Sequence, residues 1–306
     1  MTPAIEISGV TKRYGSLTAL DNVSLSVSRG EMFGLIGPDG AGKSSLYRIL
    51  ATLLSPDSGY ARIDGLDSVA DYRRLRSIIG YMPEKFSLYP DLTVSENLEF
   101  FASLFGVSVD DNFDLIESVF SQLRQFPDRK AGALSGGMKQ KLALSCALIH
   151  RPRILLLDEP TTGVDAVSRS EFWDILSTLR DKGITIVVST SYMDEATRCQ
   201  RIAMIDNGRI LDVDTPRRLI SRLDENLFNA SSSDMFSLLN HLRSMPEVID
   251  CYTFGATLHV VGREDFNPDK AMDFLSHSGL PDVRIYPAKG DIEDLFIKLT
   301  RYEEQC

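Results

Sequence analysis

The stretch MFGLIGPDGAGKSS, residues 32–45, limits the fold more than any other part of the chain. A short apolar run enters a glycine-rich loop that fits G-x-x-x-x-G-K-[ST]. The pattern then predicts a helix from Ser44 to about residue 54. Glycines let backbone N–H groups close around phosphate oxygens, and the helix start adds positive potential. Gly37, Pro38, Asp39, Gly40, Ala41, Gly42, Lys43, Ser44 and Ser45 are the candidate cradle. Lys43 offers a point charge to the outer phosphates, and the Ser44 hydroxyl suits Mg²⁺, a hard ion that takes oxygen ligands. An accidental lysine in a glycine-rich turn is the weaker reading, because every fixed position is filled in a strand, loop, helix context.

RILLLDEP, residues 153–160, supplies a second half. Its aliphatic run carries Asp158 and Glu159 to the C-terminal end of a buried strand, where α/β sheets bind ligands. Asp158 is placed to hold Mg²⁺ directly or through water, and Glu159 to orient or deprotonate an attacking water. The bland alternative is a solvated strand end.

The remaining pattern predicts an α/β chain. IEISGV and LTALDNVSLSV, within residues 5–27, alternate as antiparallel strands do, and SGYARIDG (58–65) reads as a strand with an Asp64-Gly65 turn. TVSENLEFFASLF (93–105) opens with a capping box, Thr93 and Glu96, and helical spacing then runs to about residue 150 with a break at 134–137. Strands return at 153–158 and 184–190 with helices between, which implies a parallel, helix-covered sheet. The expected architecture is a P-loop NTPase sheet with an antiparallel β subdomain and a helical subdomain at about 88–150, all within residues 1–222. Polar residues near 222–233 mark a boundary. Residues 223–306 then read β (227–230), α (234–243), β (248–254), β (257–261), α (268–277), β (283–286), α (292–299), the ferredoxin-like order of a small α+β domain.

The chain has 306 residues, enough for two domains, with a net charge of −10 that argues against a nucleic-acid partner. No apolar run approaches the roughly 18–20 residues that span a bilayer, and the N-terminal residues do not read as a signal peptide. Cys146, Cys199, Cys251 and Cys306 are scattered without metal spacing, which fits packing roles in a reducing compartment.

The two phosphate motifs alone would allow a GTPase, a helicase or a kinase. ALSGGMKQ, residues 133–140, decides between them. With Leu134-Ser135-Gly136-Gly137 about 20 residues ahead of the Asp-Glu pair, the chain resembles the ATP-binding subunits of ABC transporters, and the following Met138-Lys139-Gln140 is similar to exporter subunits. The resemblance covers about residues 4–220, and more softly the tail, including IEDLFIKLT (292–300). It implies that ATP is the ligand and that Tyr14 stacks on the adenine ring. It also implies that Ser135, Gly136 and Gly137 complete the site of a second ATP-binding subunit, identical or related. Asp165, in Gly163-Val164-Asp165, would then meet that partner. Transmembrane permease subunits would take up the closing and opening of the dimer, which places the chain peripherally at the cytoplasmic face of a membrane.

Two positions depart from that family. Glu84 follows Tyr81-Met82-Pro83 where Gln is usual, and Ser191 stands where His usually bonds the γ-phosphate. Glu84 is expected at Mg²⁺ and the nucleotide, adding negative charge beside Asp158 and Glu159. Ser191 is expected to give the transition state one hydrogen bond but no positive charge. The alternatives are a solvent-facing Glu84 and a Ser191 that caps a helix over YMDEA (192–196). Phe86, Leu88 and Tyr89 are expected at the membrane-subunit interface, and Phe100, Phe101 and Phe105 in the helix core. Two competing classes remain. A soluble ABC ATPase acting on ribosomes or DNA would usually carry a second P-loop, a long charged linker or coiled coils. A regulatory module would bind ATP without hydrolysing it.

Overall fold

A computed structural model describes residues 2–85, 88–223, 226–280 and 282–304, and divides into two compact units, 1–217 and 218–306. The division falls five residues before the boundary expected at 222/223, just after the first residues of a short helix that begins at Pro216.

In the first unit, β1 (Ile5–Tyr14) and β2 (Leu17–Val27) pair antiparallel, burying Ile5, Ile7 and Val10 of β1 and Leu20, Val23 and Val27 of β2, with register shifts that interrupt the simple alternation. The buried run β3 (Met32–Ile36) enters the glycine-rich loop and α1 (Lys43–Leu50) leaves it. This helix stops short of residue 54 because Thr52 takes a left-handed φ of 60°, its carbonyl and hydroxyl both accepting from Arg76. β4 (Ser58–Ile63) and β5 (Leu66–Asp67) turn back through Asp64-Gly65, both at positive φ, and complete a sheet ordered β2-β1-β4-β5.

Past α2 (Tyr72–Arg76) and β6 (Ile79–Met82) comes a helical region with α3 (Val94–Leu104), α4 (Phe113–Phe120) and α5 (Gly136–Leu148). The capping box is formed: Glu96 N–H donates to Thr93 Oγ1 at 3.2 Å and Thr93 N–H to the Glu96 carboxylate at 2.8 Å. Several aromatic expectations are corrected. Val94, Leu98 and Ala102 fill the buried face of α3, whereas Phe100 and Phe101 are half-buried against Tyr89 and Phe105 is 38% exposed, stacked on His150. Leu88 is buried and so offers no surface, Tyr89 is exposed, and Phe86 lies outside the described residues.

β7 (Ile154–Asp158), α6 (Ala166–Asp181), β8 (Thr185–Thr190), β9 (Arg201–Asp206) and β10 (Arg209–Asp214) complete the unit. The central sheet runs β10-β9-β3-β8-β7-β6, parallel except for β10 on its edge. β3, β7 and β8 are buried along their whole length, with α1 on β7, α5 on β6 and α6 on β8. Their C-terminal ends lie side by side, which positions the site.

After α7 (Pro216–Ile220), the second unit contains β11 (Asn226–Ser231), α8 (Met235–Ser244), β12 (Val248–Phe254), β13 (Thr257–Gly262), α9 (Pro268–His277), β14 (Arg284–Pro287) and α10 (Ile292–Glu304). Its sheet is ordered β12-β13-β11-β14 and antiparallel throughout. The buried Asp294 of α10 meets His259 at 2.6 Å and accepts from the Tyr252 hydroxyl at 2.7 Å, tying the helix to the sheet.

Gly42 illustrates how tightly the first unit holds its loop: φ is 103° and an added Cβ would run into the Ala19 carbonyl oxygen. Gly42→Ala is therefore expected to cost about 1–3 kcal/mol of stability in urea unfolding. An unchanged midpoint would show that the loop relaxes freely.

Candidate functional site

The glycine-rich loop is pinned at both ends. Gly37 N–H donates to the Thr190 carbonyl at 3.3 Å, and a Cβ on Gly37 would strike the Ile205 carbonyl. Ala41 donates to the Pro38 carbonyl, and its own carbonyl accepts from Gly208 N–H at 3.0 Å. Gly40, with φ 84°, has open space where a side chain would be. The loop thus closes on the protein side and stays open on the other. Lys43 is only 5% exposed, and its ammonium donates to the carbonyls of Gly37 at 2.7 Å and Pro38 at 2.9 Å. It also lies 3.0 Å from Glu159 Oε1.

Asp158 and Glu159 leave β7 beside this ammonium. The β7–β8 register sets Ser189 opposite Asp158, and the Ser189 hydroxyl donates to Asp158 at 2.7 Å while accepting from Glu159 N–H at 2.9 Å. Burial pushes the Asp158 carboxyl above the usual aspartate range. Hydrogen bonds from Ser189 and Ser44 oppose that rise, and the negative charges of Glu159 and Glu84 add to it. Glu159 has a left-handed φ of 49°, rare for a residue with a side chain. Its Oε2 lies 3.2 Å from the Thr162 hydroxyl, 3.2 Å from Ser191 N and 3.5 Å from Ser191 Oγ.

A cleft of about 400 Å³ brings together Tyr14, Asp39, Gly40, Gly42, Lys43, Ser44, Ser45, Glu84 and Glu159, with Leu17 and Ala19. Tyr14 is 42% exposed and its hydroxyl lies 3.4 Å from Ser45 Oγ. Glu84 is exposed on the wall of the cleft, so the solvent-facing alternative and the cleft position hold together. Ser191 does not cap a helix. YMDEA opens instead into a 3₁₀ turn, Met193–Arg198, preceded by Tyr192 without a side-chain cap. Thr190 takes that local role, its hydroxyl accepting from Tyr192 N–H at 3.0 Å.

Ser135, Gly136 and Gly137 are not brought to the cleft. Ser135 caps α5, accepting from Met138 N–H at 3.4 Å, and Gly137 packs so closely on Ser168 that a Cβ would collide with it. Asp165 caps α6 next to them, and the Ser168 N–H it accepts holds its carboxyl below the usual range. The signature turn and Asp165 therefore form a second cluster on the same unit.

Ser189, Thr162 and Glu195 are not among the residues the sequence singles out. Buried Glu195 accepts from the hydroxyls of Thr161 at 3.1 Å and Thr190 at 2.6 Å, bracing the turn after β8. The only trace of Ser189 and Thr190 in the sequence is that hydroxyls follow the aliphatic run 186–188, and buried hydroxyls require partners.

Residues 20–162 match the family described as ABC transporter. The chain is 38% identical over 301 residues to the probable multidrug ABC transporter ATP-binding protein YbhF of Escherichia coli (strain K12), covering 96% of this chain and 52% of that protein. It thus spans about half the length of that relative. It is 34% identical over 310 residues to Nod factor export ATP-binding protein I of Ralstonia nicotianae, covering 99% of this chain and 95% of that one. A solved ATP-binding subunit of an ABC transporter superposes with a TM-score of 0.65 at 27% identity, covering 72% of this chain and 93% of its own. A dimeric bacterial ABC transporter cassette superposes with a TM-score of 0.63 at 29% identity, covering 69% and 98%.

The raised Asp158 carboxyl has a consequence for stability. The folded protein holds this proton to a higher pH than the unfolded chain, where the ordinary value is 3.8. Stability from this group is thus fully present below that value and lost as pH rises through the folded pKa. Removing the Glu84 charge lowers the folded pKa and shrinks the loss. Metal-free urea midpoints followed upward from about pH 4 are expected to fall more in wild type than in Glu84→Gln. Parallel curves would show that Glu84 does not act on Asp158.

Proposed function

The chain belongs to the ABC transporter ATP-binding family, and on that footing we propose that it binds and hydrolyses ATP to power export through separate transmembrane subunits. The observation that carries this reading is the meeting of Lys43, Ser44 and Glu159 at the open face of the glycine-rich loop, with buried Asp158 hydrogen-bonded to Ser44. Residues 37–45 cradle the phosphates, with Lys43 exchanging its carbonyl and carboxylate contacts for phosphate oxygens. Tyr14, at the cleft mouth, stacks on the adenine.

Mg²⁺ fits this site only together with the nucleotide. Among the described residues no group of three or more His, Cys, Asp or Glu side chains is arranged to hold a metal by itself. Ser44, Asp158 and Glu84 would hold the ion along with phosphate oxygens, and it would neutralise charge on the phosphates. Glu159 accepts the proton of the attacking water.

The separation of the Ser135-Gly136-Gly137 turn from the cleft supports a dimer in which each signature turn completes the other subunit's site, with Asp165 at the interface. The dimeric cassette among the solved relatives supports the same arrangement. A groove of about 540 Å³, lined by Leu53, Tyr81, Phe101, Leu104, Phe105 and His150 among others, supports docking of a membrane subunit's cytoplasmic helix. No helix among the described residues is long and apolar enough to cross a membrane, so attachment at the cytoplasmic face would run through such partners. Relatives named for multidrug and Nod factor export point to export as the direction, with cargo selected by the membrane subunits. The strand order β12-β13-β11-β14 supports a ferredoxin-like second unit.

Turnover is expected to be measurable but slow, because Ser191 brings no cation to the terminal phosphate. Ser191→His is expected to raise kcat, with about 10²–10³-fold as the ceiling set by a single transition-state donor. A variant no faster than wild type would mean that another group already makes the contact. Glu159→Gln serves as the control, and a wild-type rate no higher than this control would leave a module that binds ATP without hydrolysing it. In Mg²⁺ titrations of ATP binding, wild type is expected to need more metal than Glu84→Gln, and coincident curves would remove Glu84 from the metal site.

A further inference from the structure

We propose that Thr162 is a positioning residue for hydrolysis, holding one oxygen of Glu159 so that the other faces the terminal phosphate. The inference rests on the reading of Glu159 as the base. The two carboxylate oxygens have different surroundings. Oε2 is met by the Thr162 hydroxyl at 3.2 Å and by Ser191 N at 3.2 Å. Oε1 is buried and faces the Lys43 ammonium at 3.0 Å.

Glu159 needs such a hold. Its backbone is in the left-handed region, where the side chain leaves the strand in an uncommon direction. Glutamate also has three side-chain torsions to restrain before a water can be lined up. Thr162 is placed to act because the chain turns immediately after β7, Thr162 N–H donating to the Glu159 carbonyl at 3.3 Å. That turn folds the hydroxyl back over the carboxylate. The Ser191 contact comes mainly from the main chain, since its hydroxyl is at 3.5 Å, so it persists whatever side chain stands there.

In the reaction the water oxygen bonds to the terminal phosphorus, the bridging P–O bond breaks as ADP leaves, and the water proton passes to Oε1. Thr162 touches none of these atoms. Its effect is on how often Oε1 points at the water.

Thr162 is exposed, so its variants should fold, and urea midpoints close to wild type would verify this. The expected result for Thr162→Val is a kcat lower by about 3- to 10-fold, the size of one neutral hydrogen bond, with KM for ATP within about twofold. Thr162→Ser should restore the rate. In a Glu159→Gln background, Thr162→Val should produce no further loss, because the oxygen it positions no longer accepts a proton. Equal kcat for wild type and Thr162→Val would overturn the inference alone. So would the same fractional loss in the Glu159→Gln background, which marks a merely structural role. If wild type has no turnover above Glu159→Gln, the reading of the base fails and this inference fails with it.

Discussion

The first unit is organised around two opposite charges that have almost left water. Lys43 and Glu159 are each about 5% exposed and 3.0 Å apart. Either one alone at that depth would be costly, and together they are tolerable only because the geometry is close and further hydrogen bonds support both. Lys43 opens α1 after the loop that follows β3, and Glu159 comes directly after β7, with β8 lying between those strands. A parallel sheet ends its strands together, so the pairing order places the two residues across one strand end. The same proximity makes the pair exchangeable. In the proposed reaction a phosphate would take over the ammonium and free the carboxylate to the cleft.

Support for that pair extends outward in layers. Ser189 bridges Asp158 and the Glu159 backbone, Thr190 and Glu195 brace the following turn, and Arg169 stacks over Tyr192 while approaching Glu195 at 3.8 Å. Glu195 and its hydroxyl partners sit in a low-dielectric interior, where satisfied hydrogen bonds stiffen their surroundings. Rigid support of this kind suits the proposed dimer, in which the exposed Ser135 and Gly136 would meet another subunit.

Much of this was legible in the sequence, for reasons that differ by element. The glycine-rich loop and the strand before Asp158 are local patterns, since φ requirements and burial are written into adjacent residues. The capping box at Thr93 and the alternation of β1 are local too. In the second unit, the expected helix over 268–277 coincides with α9, which starts at a proline and is capped by Asn267. What escaped is what depends on register between distant segments. Ser189 meets Asp158 through the β7–β8 pairing, and no spacing rule carries that. Helix capping is the alternative the sequence offers for Ser191, but Thr190 satisfies the turn and leaves Ser191 beside Glu159. Phe100, Phe101 and Phe105 follow helical spacing, yet α3 turns a narrower face inward, leaving Phe101 and Phe105 along a groove and Phe100 half-buried against Tyr89.

The left-handed backbone of Glu159 ties durability and chemistry together at one position. Glycine there would relax the main chain but leave the buried Lys43 ammonium without its carboxylate, so backbone ease and charge balance oppose each other at this residue. The glutamate's backbone strain is thus offset by the charge its side chain neutralises, and the two sites on either side of β8 are coupled through it.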